Sequence, residues 1–206
     1  LAVSDRRAIL DRMRPIEGWL EDGEAELLMS LTERVLTSRT QPATILEVGS
    51  YCGRSTVVLG STIQALGARA RVFAIDPHRG ELGALDSSYG LEVRQSTYAT
   101  FRQNLVEAGL SRIVEPIVRR SFEVEWSRPI HLMFIDGLHD YLSVSQDLAH
   151  FLDWVVADGY VVFHDYIEMF PGVVRCVTDA LASGRFRQVE QAESLIVLQK
   201  TGGEGL

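Results

Sequence analysis

Ile45-Leu46-Glu47-Val48-Gly49-Ser50-Tyr51-Cys52-Gly53-Arg54-Ser55-Thr56 decides how this chain is read. An apolar run ends in an acid, two glycines bracket a short turn, and Arg-Ser-Thr opens a second apolar segment. That order predicts a strand, a glycine turn and a helix start. Gly49 has access to backbone angles closed to other residues, and Gly53 lets main chain come close to a ligand. The free N–H groups of the new helix attract an anion. A dinucleotide loop of the G-x-G-x-x-G type leaves room for a pyrophosphate, whereas E-x-G-x-x-x-G has the wrong shape for one and puts a carboxylate on the strand, where it meets a cation.

A second acid narrows the ligand. Arg71-Val72-Phe73-Ala74-Ile75-Asp76 is another short apolar strand. Asp76 closes it roughly twenty residues after Gly53, the spacing at which a carboxylate accepts two ribose hydroxyls. S-adenosylmethionine carries an ammonium, a sulfonium, a ribose and a single carboxylate, and the last suits a helix N-terminus. On these two segments the sequence resembles the class I S-adenosylmethionine-dependent methyltransferases. The plainer alternative, that Glu47 and Asp76 only end two strands, leaves the glycine turn between them unexplained.

The chain has 206 residues and a net charge of −8, and Lys200 is its one lysine. That length buries one core, with a small extra segment at one end. An acidic surface without a basic run argues against a nucleic-acid or anionic-membrane partner, because phosphate backbones require clustered positive charge. Cys52 and Cys176 form neither a C-x-x-C pair nor a disulfide framework, which points to a reducing cytoplasm. No run reaches membrane-spanning length and none reads as a signal peptide.

Further along, Asp22 reads as an N-cap for a helix over Glu24 to Leu36, whose leucines recur at helical spacing. The apolar Ile16–Leu20 stretch ahead of it is expected to pack near the cofactor or against a second copy, so the chain reads as a homo-oligomer. A helix over Ser55 to Leu66 stops at Gly67. Arg79 to Arg94 lacks periodicity and reads as a lid or a surface insertion. Beyond it the spacing gives a helix over Ser96 to Ala108, strands over Arg112 to Val118 and His131 to Ile135, and a helix over Val144 to Val155. A strand over Tyr160 to Phe163, a helix over Gly172 to Ala182 and a closing pair, Phe186 to Glu190 with Leu195 to Gln199, complete the pattern. Alternating strands and helices imply an α/β fold, a Rossmann-like, doubly wound, seven-stranded and mostly parallel sheet with a C-terminal antiparallel hairpin. Its organisation divides into an N-terminal helical segment at 1–40 serving as lid or dimer contact, a cofactor-binding domain at 41–200 and a flexible tail at 201–206.

Ligands of such sheets sit at the carboxyl ends of the strands. Two of those ends carry Ile135-Asp136-Gly137-Leu138-His139-Asp140-Tyr141 and Val162-Phe163-His164-Asp165-Tyr166. Two carboxylates and two imidazoles from adjacent strands suit a divalent cation. The I-D-G-x-H-x-Y and V-F-H-D-Y runs, with G-W-L before the first helix, resemble the branch of the family that contains macrocin-type small-molecule and sugar O-methyltransferases; the likeness runs from about Ile16 to Gln199.

The resemblance implies a magnesium ion on one acid after the fourth strand and two adjacent acids after the fifth, with a histidine three residues past the first acid as base. Carried over, Asp136 is a metal ligand and His139 the base. The chain departs from the pattern at His164-Asp165, where the metal-dependent relatives have two acids; imidazole is a poor magnesium ligand. Asp136, His164 and Asp165 are the expected metal set. Glu47, Gly49, Ser50, Tyr51, Gly53, Ser55, Asp76, Ser121 and Asp136 are expected to hold the cofactor, Ser121 standing where this fold places the adenine. The activity read from this is methyl transfer to a hydroxyl of a small, glycosylated or polyol-like acceptor, with a cation at Asp136 and Asp165 assisting. Each residue also has a quieter role open to it, His139 as a helix cap and His164 as a backbone-bonded histidine. Two rivals remain: a non-haem iron hydroxylase using His139, His164 and an Asp, and a non-catalytic S-adenosylmethionine-binding subunit.

Overall fold

Side chains alternate faces along a strand, and in the central strands that alternation fills two separate cores. In the computed structural model, which describes residues 1–82, 92–93 and 96–202, β1 spans Ala43–Val48, β2 Ala70–Ile75 and β3 Val114–Ile117. β4 follows at Ile130–Ile135, β5 at Val155–Phe163, β6 at Phe186–Ala192 and β7 at Leu195–Lys200. Ile45, Leu132, Phe134 and Val162 pack on one face, and Leu46, Met133, Ile135 and Phe163 on the other. β1 and β4 are buried on both sides, as strands covered by helices on each face must be.

The strand order is β3-β2-β1-β4-β5-β7-β6. The first five run parallel, β7 returns antiparallel to β5, and β6 pairs with β7 as the expected hairpin. Crossing from β2 to β1 to β4 reverses the direction in which the sheet is built, and ligands of open α/β sheets bind outside the strand ends at such a reversal.

Among the described residues six helices cover the sheet: α1 Val3–Met13, α2 Asp22–Thr37, α3 Arg54–Leu66, α4 Tyr98–Glu107, α5 Tyr141–Phe151 and α6 Pro171–Ala182. α1 and α2 both pack on α3. Within the 1–40 segment expected to serve as lid or dimer contact, Leu27, Leu28 and Leu31 of α2 are buried within their own chain. Asp22 is already helical; Glu21 caps α2, its N–H donating to Glu24 Oε2 at 2.9 Å. The loop expected over Arg79 to Arg94 lies mostly outside the described residues, as do residues 203–206.

One boundary differs by a full turn. The helix expected to reach Val155 ends at Phe151, and Val155 opens β5 instead, five residues ahead of the expected Tyr160. Val155 and Val156 are apolar and β-branched, so the helical period does not exclude them although a strand suits them better. Lys200 fixes the change of direction: its ammonium donates to Leu152 O at 3.0 Å and Val155 O at 2.6 Å, carbonyls that the ended helix leaves open. Replacing Lys200 with Met should lower unfolding stability by about 1–2 kcal/mol in a urea titration, the scale of charge-assisted hydrogen bonds lost at a partly exposed site. An unchanged midpoint would show that water serves those carbonyls equally well.

Candidate active site

The turn after β1 is built around contact with the end of β4. Gly49 has φ 88°, and a Cβ there would stand 2.0 Å from the Asp136 carbonyl oxygen, so no other residue fits. Gly49 N–H donates to Ile75 O at 2.9 Å and Asp136 N–H to Val48 O at 2.8 Å, which holds the ends of β2, β1 and β4 side by side. Gly53, with φ 90°, caps α3.

Asp76 closes the turn from β2. Its Oδ2 accepts the N–H groups of Ser50 at 3.0 Å and Tyr51 at 2.8 Å, and its Oδ1 accepts that of His78 at 2.6 Å. The carboxylate therefore organises the loop as well as lining the cavity beside it. Ser50 Oγ, buried in the same turn, has no partner among the described residues, the condition of a group awaiting a ligand.

Glu47 does not reach the cavity. Strand alternation sends its side chain under the first turn of α3, where it is fully buried and accepts hydrogen bonds from Ser55 Oγ at 2.6 Å and from Thr56 Oγ1. Burial pushes its carboxyl up to about 8, against the pull of the two hydroxyls. Gly53 also stays out of the lining. Gly49, Ser50, Tyr51, Ser55, Asp76, Ser121 and Asp136, also expected to hold the cofactor, are all on the wall of one cavity of about 820 Å³.

The ends of β4 and β5 bring the four chemical residues together. His139 Nε2 is 2.9 Å from Asp165 Oδ2, and His164 Nδ1 is 3.0 Å from the same oxygen and 3.3 Å from Asp136 Oδ1. Asp165 holds a left-handed backbone, φ 59°, just past β5. The helix after β4 is capped by Asp140, whose Oδ1 accepts Ser143 N–H at 3.0 Å, which leaves His139 free of that task. With Nε2 facing the Asp165 carboxylate, His139 Nδ1, which has no hydrogen-bond partner among the described residues, is the nitrogen with a free lone pair.

A fifth residue was not foreseen. Glu24 of α2, buried, places Oε2 3.0 Å from His164 Nε2, while its Oε1 accepts Ser194 N–H at 3.0 Å and Ser194 Oγ at 2.5 Å. Its signal was its place: Glu24 sits one turn ahead of Leu27 and Leu28, on the face of α2 that packs inward. Burial alone would lower the His164 imidazole, but Asp136, Asp165 and Glu24 overturn this and raise it far above its ordinary value. Burial would likewise raise Asp165, yet His139 and His164 hold it well below the usual carboxylate range.

This bears on the metal set. Both ring nitrogens of His164 face carboxylates, so it has no lone pair for a cation, and Asp136, His164 and Asp165 do not fit magnesium. Nor does His164 join His139 in a two-histidine iron site. Asp136, His139 and Asp165 each offer one ligand atom, all within 4.8 Å of one another. That set includes an imidazole, which suits a softer first-row ion better than magnesium.

A family model described as a methyltransferase domain matches residues 46–166, which include the glycine turn, Asp76 and both strand-end acids. The chain belongs to this methyltransferase family. It carries the class I methyltransferase fold. The O-methyltransferase NovP is similar in structure, with a TM-score of 0.75 at 18% identity over 88% of this chain and 81% of that one. TomG from Streptomyces achromogenes, an O-methyltransferase solved with S-adenosylmethionine, gives 0.63 at 16% identity over 98% of this chain and 92% of that one. In sequence, the transmembrane O-methyltransferase of Propithecus coquereli is 29% identical over 181 residues, 86% of this chain and 56% of its own length. This methyltransferase thus spans about half the length of the curated relatives it matches. No helix among its described residues is long and apolar enough to cross a membrane.

Glu47 gives this site a pH signature. Its carboxyl is raised, from an ordinary 4.5 to about 8, so its contribution to stability is full below about 4.5 and is lost as pH rises through 8. Glu47→Gln removes that dependence, and melting curves should show the variant gaining on its parent between pH 5 and pH 8.5. Parallel profiles would mean that Glu47 ionises freely in the fold.

Proposed function

We propose that this methyltransferase transfers the methyl group of S-adenosylmethionine to a hydroxyl of a small molecule, with His139 as the base. The observation that carries this is the pairing of His139 Nε2 with Asp165 Oδ2 at 2.9 Å on the cavity wall. NovP, TomG and the transmembrane relatives are O-methyltransferases, which agrees with it.

The reaction is an in-line displacement. The acceptor oxygen forms a bond to the methyl carbon, the carbon–sulfur bond breaks, and the sulfonium becomes a neutral thioether. The acceptor's proton passes to His139 Nδ1, and the imidazolium that results keeps its Nε2–H against the Asp165 carboxylate. Positive charge therefore moves from sulfur to imidazole among groups placed to receive it, and alignment of oxygen and carbon at about 3 Å supplies much of the rate. His164 and Asp165 do not compete for the proton, since the first is held protonated and the second too acidic. Ser50, Tyr51 and Asp76 hold the cofactor at the glycine turn. Asp76 spends three of roughly four lone-pair sites on backbone, leaving one for the ribose.

The acceptor is read from the walls beside His139. Trp19, 59% exposed, leans on the Tyr51 ring at 5.4 Å between centroids, and Met169 and Phe170 line the same cavity. These surfaces suit an apolar ring bearing a hydroxyl better than a bare polyol. Glu17, Glu21 and Glu193 at the same cavity disfavour phosphate or carboxylate groups, nucleic acid among them.

His139→Ala should lower turnover on the order of 100-fold with S-adenosylhomocysteine affinity changed less than about twofold, read by initial rates on a hydroxylated aromatic acceptor and by calorimetry. Full activity in that variant would end the base assignment. A second reading, favoured by the closeness of Asp136, His139 and Asp165, is a first-row cation that lowers the acceptor's pKa. On the base reading, dialysis against a chelator leaves turnover within about twofold, since the free lone pair of His139 Nδ1 is kept for the proton. Loss of activity restored by manganese or zinc would favour the cation.

A further inference from the structure

Glu24 comes from the first turn of α2, is 2% exposed, and meets the reacting groups from outside the strand ends that carry them. A carboxylate offers roughly four lone-pair sites, and here four donors face them. Oε1 accepts Ser194 N–H at 3.0 Å and Ser194 Oγ at 2.5 Å. Oε2 accepts Glu21 N–H at 2.9 Å and stands 3.0 Å from His164 Nε2. An amide in its place would turn an N–H₂ against a donor on one side or the other, so the position calls for a carboxylate.

The same residues enclose Asp165 from both ends. Ahead of it, His164 N–H donates to Ile135 O at 3.1 Å, and the His164 ring is gripped between Glu24 and Asp165. After it, Tyr166 N–H donates at 2.8 Å to the carbonyl of Ser194, whose own N–H and hydroxyl hold Glu24. Asp165 between them keeps its left-handed backbone, a conformation that persists where the surroundings impose it. One oxygen, Asp165 Oδ2, then meets both imidazoles, His164 Nδ1 at 3.0 Å and His139 Nε2 at 2.9 Å.

We propose that Glu24 is a positioning residue for methyl transfer: through His164 it fixes Asp165, and through Asp165 it fixes the ring of His139. This rests on the reading of His139 as base and extends it to an acid on α2. The two ends of the row differ in freedom. Glu24 is clamped by Ser194 and Glu21, and the His164 ring is held at both nitrogens, whereas His139 has one such grip, at Nε2. A displacement of the Asp165 oxygen therefore turns the Nδ1 lone pair of His139 away from the acceptor, and proton transfer depends on that direction. None of the four donors facing Glu24 belongs to the glycine turn, so cofactor affinity reports separately on whether the site is intact.

Initial rates with 2-naphthol as acceptor, and calorimetry with S-adenosylhomocysteine, test this at a temperature where circular dichroism shows each variant folded. Glu24→Gln should lower kcat on the order of 10-fold, with KM for 2-naphthol and affinity for S-adenosylhomocysteine within about twofold of the parent. Glu24→Asp keeps acceptor-only oxygens but stops one methylene short of His164, and should show the same split. His164→Asn retains a donor for Asp165, lacks the nitrogen that faces Glu24, and should also lower kcat on the order of 10-fold. Adding Glu24→Gln to His164→Asn should slow turnover by no more than about twofold further, because the acid acts through that ring. Full kcat in any of the three single variants, or losses that multiply in the double variant, overturn the inference alone. Full activity of His139→Ala, or no turnover of 2-naphthol by the unaltered protein, overturns the reading on which it rests and the inference with it.

Discussion

The chain after β1 and the chain after β4 pass so close that a single methyl group between them is forbidden, since a Cβ at Gly49 would overlap the Asp136 carbonyl. That approach sets the rest of the site. It brings the glycine turn against the loop that carries Asp136, Gly137 and His139, so the surface that takes the cofactor and the surface that performs the chemistry are two sides of one contact. Asp76 then fastens the turn through its amides, and Glu47 fastens the start of α3 from beneath. The local geometry is thus over-determined, which is the condition for holding reactants in line.

The parts of this arrangement that depend on neighbours in sequence were legible there. Strand, glycine turn and helix over Ile45 to Thr56 follow from local periodicity and backbone freedom, as do α3 with its Gly67 stop and the C-terminal hairpin. What depends on partners far along the chain was not. Glu47 and Asp76 were both read as ligand-facing acids, but one is turned under a helix by strand alternation while the other is shared between the cavity and three backbone amides. The α5–β5 boundary was misplaced because Val155 and Val156 fit both periods, and the group that settles it, Lys200, is 45 residues away. Glu24 and Asp147 show the same limit. Each was visible as an acid on an apolar helix face, but its partner, His164 in one case and Ser121 in the other, is set by the fold.

Electrostatics in the site follow from packing several acids where water is scarce. Asp136, Asp165 and Glu24 surround one imidazole, and His164 answers all three. Paired in this way Asp165 and Glu24 stay ionised at a depth where single acids would take up protons, as Glu47 and Asp147 do in part. Two kinds of carboxylate therefore support the site. Asp165 and Glu24 are charged and fixed, whereas Glu47, outside the cavity, is nearly neutral and serves the scaffold.

The Lys200 cap has a practical side. Reagents that couple to lysine amines meet a single such side chain in this sequence, and its nitrogen already donates to Leu152 O and Val155 O. Acylating it removes both the charge and the donors, so a biotin or dye attached there comes at the cost of the joint between α5 and β5. Surface attachment through arginine, carboxylate or an added cysteine leaves that joint intact.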